Sequence, residues 1–330
     1  MNQSTTPYAN LDPSLILDAI DQIGFVCSGS VFALNSYENR VYQVGIESEA
    51  PVIAKFYRPG RWTDDAIIEE HQFALELKEH EIPVVAPLVV AGKTLHEFKD
   101  YRFALFPRQG GRTIELDNME HLEWVGRFIG RLHAVGSCKP FYHRLKLNAK
   151  TYGQPYQYLI DNNFIPSGME QTVLLAAETA LSKIEEAFEA VGEVRSIRLH
   201  GDCHAGNILW NNDGPQIVDL DDCLMGPAVQ DLWMLVSAGT KQEVRRQWDC
   251  ILNGYEGFND FNYNEIRLVE ALRTLRMMQY SAWLAKRWDD PAFPVSFPWF
   301  NTPHYWQEQL QLLNEQIELL DGLDEDDEDE

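Results

Sequence analysis

Apolar and polar positions along the first third of the chain repeat with the period of strands, then of a helix, then of a strand again. Arg40-Val-Tyr-Gln-Val-Gly-Ile46 and Val52-Ile-Ala-Lys-Phe-Tyr57 place apolar and β-branched residues at alternate positions and predict two strands. Thr63 begins a polar start followed by Ile67, Phe73, Ala74 and Leu77, a spacing that predicts an amphipathic helix ended before Pro83. Glu70 falls on the face of Phe73 and Leu77, whereas Glu69 lies about 100° round the helix. Tyr101-Arg-Phe-Ala-Leu-Phe106 reads as a third strand, cut by Pro107 and the pair Gly110-Gly111. Later, Asn207-Ile-Leu-Trp210 and Gln216-Ile-Val-Asp219 flank Asn211-Asn-Asp-Gly214, a strong hairpin signal. A hairpin centred near position 213 would set Asn207 opposite Asp219, with Cα atoms about 5 Å apart. From Leu232 onward the pattern is helical.

These elements imply an α+β chain with a hinge near Pro107 and a larger, mostly helical second part. Residues 1–107 are expected to form one lobe and 108–320 the other, with 321–330 as a disordered acidic tail. Backbone groups around the hinge, at Phe106 and Arg108, could bond the edge of a purine. Glu70 is predicted to point inward, which is costly for a carboxylate without a partner, and Lys55 is the obvious cation. Taken alone, Lys55 could equally be a snorkelling strand residue and Glu70 a solvated helix charge.

The stretch from His200 to Asp219 carries the chemistry. Asp202 precedes Asn207 with four residues between, the spacing of a kinase catalytic loop. An amide oxygen from Asn207 and a carboxylate from Asp219 would suit Mg²⁺, a hard cation that takes oxygen ligands. Asp202 would then orient an acceptor hydroxyl and take its proton. Asp and Asn are common in turns for local reasons, so the coincidence of loop, hairpin and second Asp carries more than any one of them. His200, Cys203 and His204 could suggest zinc, but no Cys-x-x-Cys and no evident fourth ligand accompanies them. Neither Gly-x-Gly-x-x-Gly nor a Walker A sequence occurs. In their place stands Leu34-Asn-Ser36-Tyr-Glu-Asn39, where Ser36 could meet a phosphate or simply form a turn.

Composition narrows the classes. With 330 residues, 45% of them hydrophobic, the chain can bury a substantial core. A net charge of −24 argues against non-specific nucleic-acid binding and favours cationic substrates. The seven acidic residues from Asp324 to Glu330 supply seven of those charges. No apolar run approaches the length of a membrane span, and the first residues lack a basic and apolar leader. Five irregularly spaced cysteines suit reduced thiols, so a cytoplasmic location is expected. Of these, Cys203 and Cys223 flank the site and read as buried, inert thiols or redox sensors.

The Lys strand, the Glu helix, His200-Gly-Asp202…Asn207 and the Val218-Asp219 strand resemble the aminoglycoside-phosphotransferase and choline-kinase superfamily, relatives of the protein kinases. More closely, the chain to about residue 315 resembles the bacterial stress response kinase A family. Asn35-Ser-Tyr-Glu-Asn-Arg-Val-Tyr42, Lys55-Phe-Tyr-Arg-Pro59, His200 to Trp210 and Gly226-Pro-Ala-Val-Gln-Asp-Leu-Trp-Met-Leu235 carry that match. The resemblance implies a monomeric, cytoplasmic Ser/Thr protein kinase of two-lobed, protein kinase-like fold that uses ATP and Mg²⁺. It places the catalytic Asp at Asp202, the metal ligands at Asn207 and Asp219, and an ATP contact at Ser36. By the same resemblance Asp231 braces the catalytic loop, though a first-turn carboxylate stabilised by the helix dipole reads the same way.

Two other functions fit the residues. A small-molecule kinase acting on an aminoglycoside, choline or homoserine is favoured by the six residues between Asp219 and Gly226, too few for a long activation segment. A nucleotide-binding pseudokinase scaffold has no need to keep Lys55, Glu70, Asp202, Asn207 and Asp219 together. The aromatic residues from Trp283 to Trp306 read mainly as packing, with a minority able to line a cleft for an amine.

Overall fold

The computed structural model describes residues 7–148 and 155–325, and by packing the chain divides into two compact units that interleave in sequence. The first holds residues 1–144, 198–224 and 234–260, and the second 145–197, 225–233 and 261–330. The expected lobes, divided at 107/108, are contiguous stretches, whereas these units are not.

In the first unit, helix α1 (Pro13–Gln22) precedes strands β1 (Cys27–Ala33), β2 (Arg40–Ile46) and β3 (Val52–Phe56). Helix α2 (Asp64–Glu79), β4 (His96–Phe98) and β5 (Tyr101–Pro107) follow. The five strands form one antiparallel sheet in the order β1-β2-β3-β5-β4. Alternation along β3 decides which residues meet which helix. Val52, Ala54 and Phe56 join Phe103 and Leu105 in a core shared with Ile16, Ala19 and Ile20 of α1. Lys55 and its cross-strand partner Ala104 therefore point to the opposite face, where Ile67 of α2 packs. Helix α2 starts where its sequence predicts, capped by Thr63 Oγ1 accepting from the Ala66 amide.

The rest of this unit supports the second half of the site. Strand β6 (Arg112–Thr113) pairs with β8 (Ile208–Asn211), which pairs with β9 (Gly214–Ile217). The segment after α2 is stitched to β9, with the Ile217 amide on Pro83 O at 2.7 Å and the Val85 amide on Ile217 O at 2.9 Å. Helix α3 (Met119–Gly136) packs against the helix Lys241–Tyr255 at backbone distance. A Cβ at Gly126 would lie 2.1 Å from Ile251 O, so no side chain fits there. Strand β7 (Ile197–Leu199) leads into the loop of Asp202. Its Arg198 is buried, with Nη1 on Glu76 Oε2 of α2 at 2.7 Å and Nη2 on Val135 O of α3 at 2.8 Å.

The second unit is helical, as the pattern from Leu232 onward predicts. It contains the helices Glu170–Val191, Val269–Lys286 and Pro303–Glu325 with shorter ones between. Phe293, Phe297, Phe300, Tyr305 and Trp306 are buried in it and meet in tilted and edge-to-face ring pairs, which makes them packing residues. Asp231 lies buried in the short helix Val229–Leu232. Residues 321–325, read from sequence as the start of an acidic tail, instead continue the last helix. Lys183 holds Asp321 at 2.8 Å, a counter-charge that sequence patterning did not reveal. The remaining acidic residues, 326–330, lie outside the described residues. Among the described residues no helix is long and apolar enough to cross a membrane.

Candidate active site

The residues expected from the sequence to be catalytic, nucleotide-contacting or metal-ligating all belong to the first unit, whereas Asp231 belongs to the second. Lys55, on the α2 side of the sheet, is almost fully buried and lies among three carboxylates. Its Nζ is 2.9 Å from Asp219 Oδ1, 3.1 Å from Asp221 Oδ1 and 3.7 Å from Glu70 Oε1. Glu70 does point inward, as its place beside Phe73 and Leu77 predicts. The expected Lys55–Glu70 pair is present, yet the two aspartates stand closer. Burial alone would lower the ammonium pKa, but Asp219, Asp221 and Glu70 outweigh it and hold the value well above that of an ordinary lysine. Burial pushes the Glu70 carboxyl up to about 7, against the opposing pull of Lys55.

The hairpin forms, but its register differs from the expectation. Two residues close the turn, Asn211 pairing with Gly214 and Ile208 with Ile217. Asn207 therefore faces Val218, whose amide donates to Asn207 O at 3.0 Å, and Asp219 lies one residue beyond. The cause is the turn itself: Asn211 Oδ1 accepts from the Asp213 amide at 2.8 Å, centring the hairpin half a residue earlier. One residue of offset would flip a side chain to the other face in a regular strand. Asp219 instead leaves the ladder in the left-handed conformation, φ 60°, a strained state for a non-glycine residue that costs about 1–2 kcal/mol. That turn carries its carboxylate to Lys55.

The loop of Asp202 is held from several sides. Gly201 has φ +87°, and a Cβ there would lie 2.2 Å from Asp222 O, so the backbone crossing requires glycine. Both ring nitrogens of His200 serve the backbone: Nε2 lies 2.9 Å from Val218 O and Nδ1 accepts from the Asp202 amide at 3.3 Å. Asn207 Nδ2 donates to Asp202 O at 3.0 Å. His204 Nδ1 accepts from the Gly206 amide at 3.0 Å, and its Nε2 lies 3.4 Å from Asp202 Oδ2. These contacts give His200 and His204 roles in shaping the loop. Cys203 and Cys223 are buried, and burial raises the Cys223 thiol far above an ordinary one, which makes it inert.

The donor set suits Mg²⁺. The Asn207 amide nitrogen is occupied by Asp202 O, which leaves its oxygen as the atom that could meet a cation. The Asp219 side chain is 54% exposed, and both donors are oxygen. Ser36 sits half-buried in the turn joining β1 and β2. Neighbouring Asn39 is a scaffold residue, with Nδ2 on Asp221 Oδ2 at 3.1 Å and Oδ1 accepting from the Arg58 amide at 3.1 Å. Phe106 pairs with Ile53 and sets its ring edge-on to His71 at 6.2 Å. Arg108 is exposed and donates to Gln43 Oε1 at 2.8 Å.

Sequence reasoning missed three residues that the fold brings in. Asp221 is buried and bonded to Arg61, while Arg61 also pairs with Asp222. Burial would raise the Asp221 carboxyl, but Arg61, Lys55 and Arg144 hold it well below the usual carboxylate range. The run Asp219-Leu-Asp-Asp222 was the available signal, since a second Asp two residues on rarely enters a core without a cation. For Arg61 and Arg144, sequence spacing gives none.

Residues 31–269 match the pattern of the phosphotransferase enzyme family. Serine/threonine protein kinase RdoA of Salmonella typhimurium (strain LT2) is 46% identical over 321 residues, covering 97% of this chain and 97% of the relative. Stress response kinase A of Escherichia coli (strain K12) is 45% identical over 321 residues with the same coverage of both, 97% and 97%. The amicoumacin kinase hAmiN, solved with AMP-PNP, Ca²⁺ and Ami, aligns with a TM-score of 0.72 at 19% identity, over 91% of this chain and 93% of that one. A microcompartment-associated aminopropanol kinase aligns with a TM-score of 0.69 at 16% identity, over 94% and 97% of the two chains. At such identities these two structures establish the fold, and they bear out the expected kinase-like α+β class.

Proposed function

The chain belongs to the phosphotransferase enzyme family, and from that membership we propose that it is a stress-response Ser/Thr protein kinase using ATP and Mg²⁺. The observation that carries the catalytic part is the convergence on Lys55 of Asp219 and Glu70, in the same unit as the loop that ties Asn207 to Asp202. The names of relatives about 45% identical along nearly the whole chain support the protein acceptor.

In this reading Asp202 accepts the proton of the acceptor hydroxyl as the hydroxyl oxygen attacks the γ-phosphorus, the bond to the β–γ bridging oxygen breaks and ADP leaves, a role worth about 10²- to 10⁴-fold. Lys55 binds the nucleotide phosphates, and Glu70 holds its ammonium in place. Ser36 contacts phosphate from the β1–β2 turn, and the backbone at Phe106 and Arg108 meets the adenine edge. Asn207 and Asp219 would hold Mg²⁺, which would supply positive charge against the phosphate oxygens. The acidic chain favours basic residues around the accepting Ser or Thr, and the enzyme acts as a cytoplasmic monomer.

A small-molecule acceptor is the second reading, favoured by the short path from Asp219 to strand β10 (Leu224–Gly226). Labelled ATP and Mg²⁺ with the purified protein decide between them. Basic proteins are compared with aminoglycosides, choline and homoserine at matched salt. Incorporation into Ser or Thr of protein, falling as salt rises, supports the proposal. Efficient turnover of one small alcohol with none into protein overturns it.

A further inference from the structure

Glu69, the neighbour of Glu70, lies off the inward face of α2, and its carboxylate captures a separate stretch of chain. It accepts from the amides of Tyr142 at 2.6 Å, His143 at 2.8 Å and Arg144 at 3.1 Å. Three consecutive N–H groups closing on one carboxylate form a charge-assisted cradle, stronger than neutral bonds. The contact is answered from the other side. The buried Arg144 guanidinium reaches Ala66 O in the first turn of α2 at 3.5 Å. It also donates through Nε to Cys223 O at 2.9 Å and through Nη2 to Asp221 O, and it lies 3.9 Å over the Trp62 ring. One short stretch thus bonds the helix that carries Glu70 and the backbone that follows Asp219.

We infer that Glu69 and Arg144 are positioning residues: together they fix α2 against the Asp219 segment, so that Lys55 meets Glu70 and Asp219 at once. In protein kinases the helix that carries the Lys-pairing Glu is placed by a phosphorylated activation segment. Here six residues separate Asp219 from Gly226, and the carbonyls of two of them, Asp221 and Cys223, are held by Arg144. The site is therefore assembled without a phosphate. This inference rests on the kinase reading above, but part of its test does not.

The test uses the full-length protein as wild type, Glu69→Ala, Glu69→Gln and Arg144→Met. Hydrogen–deuterium exchange across α2 and residues 142–144 reports the lock without any turnover. Faster exchange there in Glu69→Ala, partly reversed in Glu69→Gln because an amide oxygen still accepts, supports it. Unchanged exchange in Glu69→Ala overturns it, and that result stands on its own even where Arg144→Met fails to fold. With ATP and Mg²⁺, Glu69→Ala should lose about 10- to 100-fold in kcat while the KM for the acceptor holds, because misplacement by about 1 Å costs that much. Equal kcat in Glu69→Ala and wild type overturns the positioning role. Phosphatase treatment should leave the wild-type rate unchanged, and a tenfold fall would place assembly under phosphate control and overturn the inference. If wild type transfers phosphate to no acceptor, the kinase reading fails, while the exchange data still decide whether the lock exists.

Discussion

Lys55 Nζ stands closer to Asp219, at 2.9 Å, than to Glu70, at 3.7 Å, so one ammonium joins strand β3 to the end of the hairpin as well as to helix α2. Asp219 reaches it only by leaving the strand in a left-handed conformation, and Glu70 only because α2 places it among apolar residues. The arrangement separates the roles assigned to each residue, and each can be tested.

In the proposed mechanism Asp202 is assigned to the acceptor hydroxyl and not to the nucleotide phosphates. Asp202→Asn should lower turnover about 10²- to 10⁴-fold and leave ATP affinity nearly unchanged. Steady-state rates with calorimetric ATP binding check this, and near-wild-type turnover would remove Asp202 from the mechanism.

Asp219→Ala removes a charged oxygen donor and should abolish the Mg²⁺-dependent part of nucleotide binding, with Asn207→Ala giving a milder loss. Thermal-shift titrations with ATP, with and without Mg²⁺, measure both. A Mg²⁺-dependent shift that survives in Asp219→Ala would mean that the cation is held elsewhere.

Asp221 is buried against Lys55 and Arg61, so its loss takes one carboxylate from each of two desolvated cations. Asp221→Asn should destabilise the fold by about 3–5 kcal/mol, far more than a surface carboxylate would. Urea denaturation reports the change, and a difference below about 1 kcal/mol would show that the network reorganises at little cost.

His71 is buried with Tyr57 Oη 2.7 Å from Nε2 and Thr94 Oγ1 2.8 Å from Nδ1. Burial, assisted by Lys55, lowers its pKa from 6.5 to about 3. Its folded value lies below its unfolded one, so unfolding takes up a proton between them and stability is lost as pH falls through that window. The contribution approaches ~1.4 kcal/mol per pH unit. Glu70, raised to about 7, acts in the opposite sense as pH falls from about 7 to 4.5, so wild type should be compared with His71→Gln at each pH. The stability advantage of wild type should shrink between pH 6.5 and 4.5, and a constant difference would remove His71 from the acid response.

Much of the site was legible in the sequence because local rules fix it. Period-two alternation put Lys55 on one face of its strand, helical spacing turned Glu70 inward, and turn chemistry announced the hairpin. The register was not legible: Asn207 faces Val218, since a half-residue shift in the turn depends on which side chain closes it. The left-handed conformation of Asp219 that compensates is one that Asp enters more readily than most residues, but turn propensity does not single out this position for it.

The chain by itself determined which residues could do chemistry and on which face of their elements they lie, because hydrogen-bonding geometry sets the periods of strand and helix within a few residues. Tertiary structure alone decided what meets them. Arg61 and Arg144 arrive from distant segments as long, flexible cations whose partners are chosen by packing. A buried carboxylate must find such a partner to enter the core; for Glu70 the sequence named Lys55, but for Asp221 it stated the need without naming Arg61.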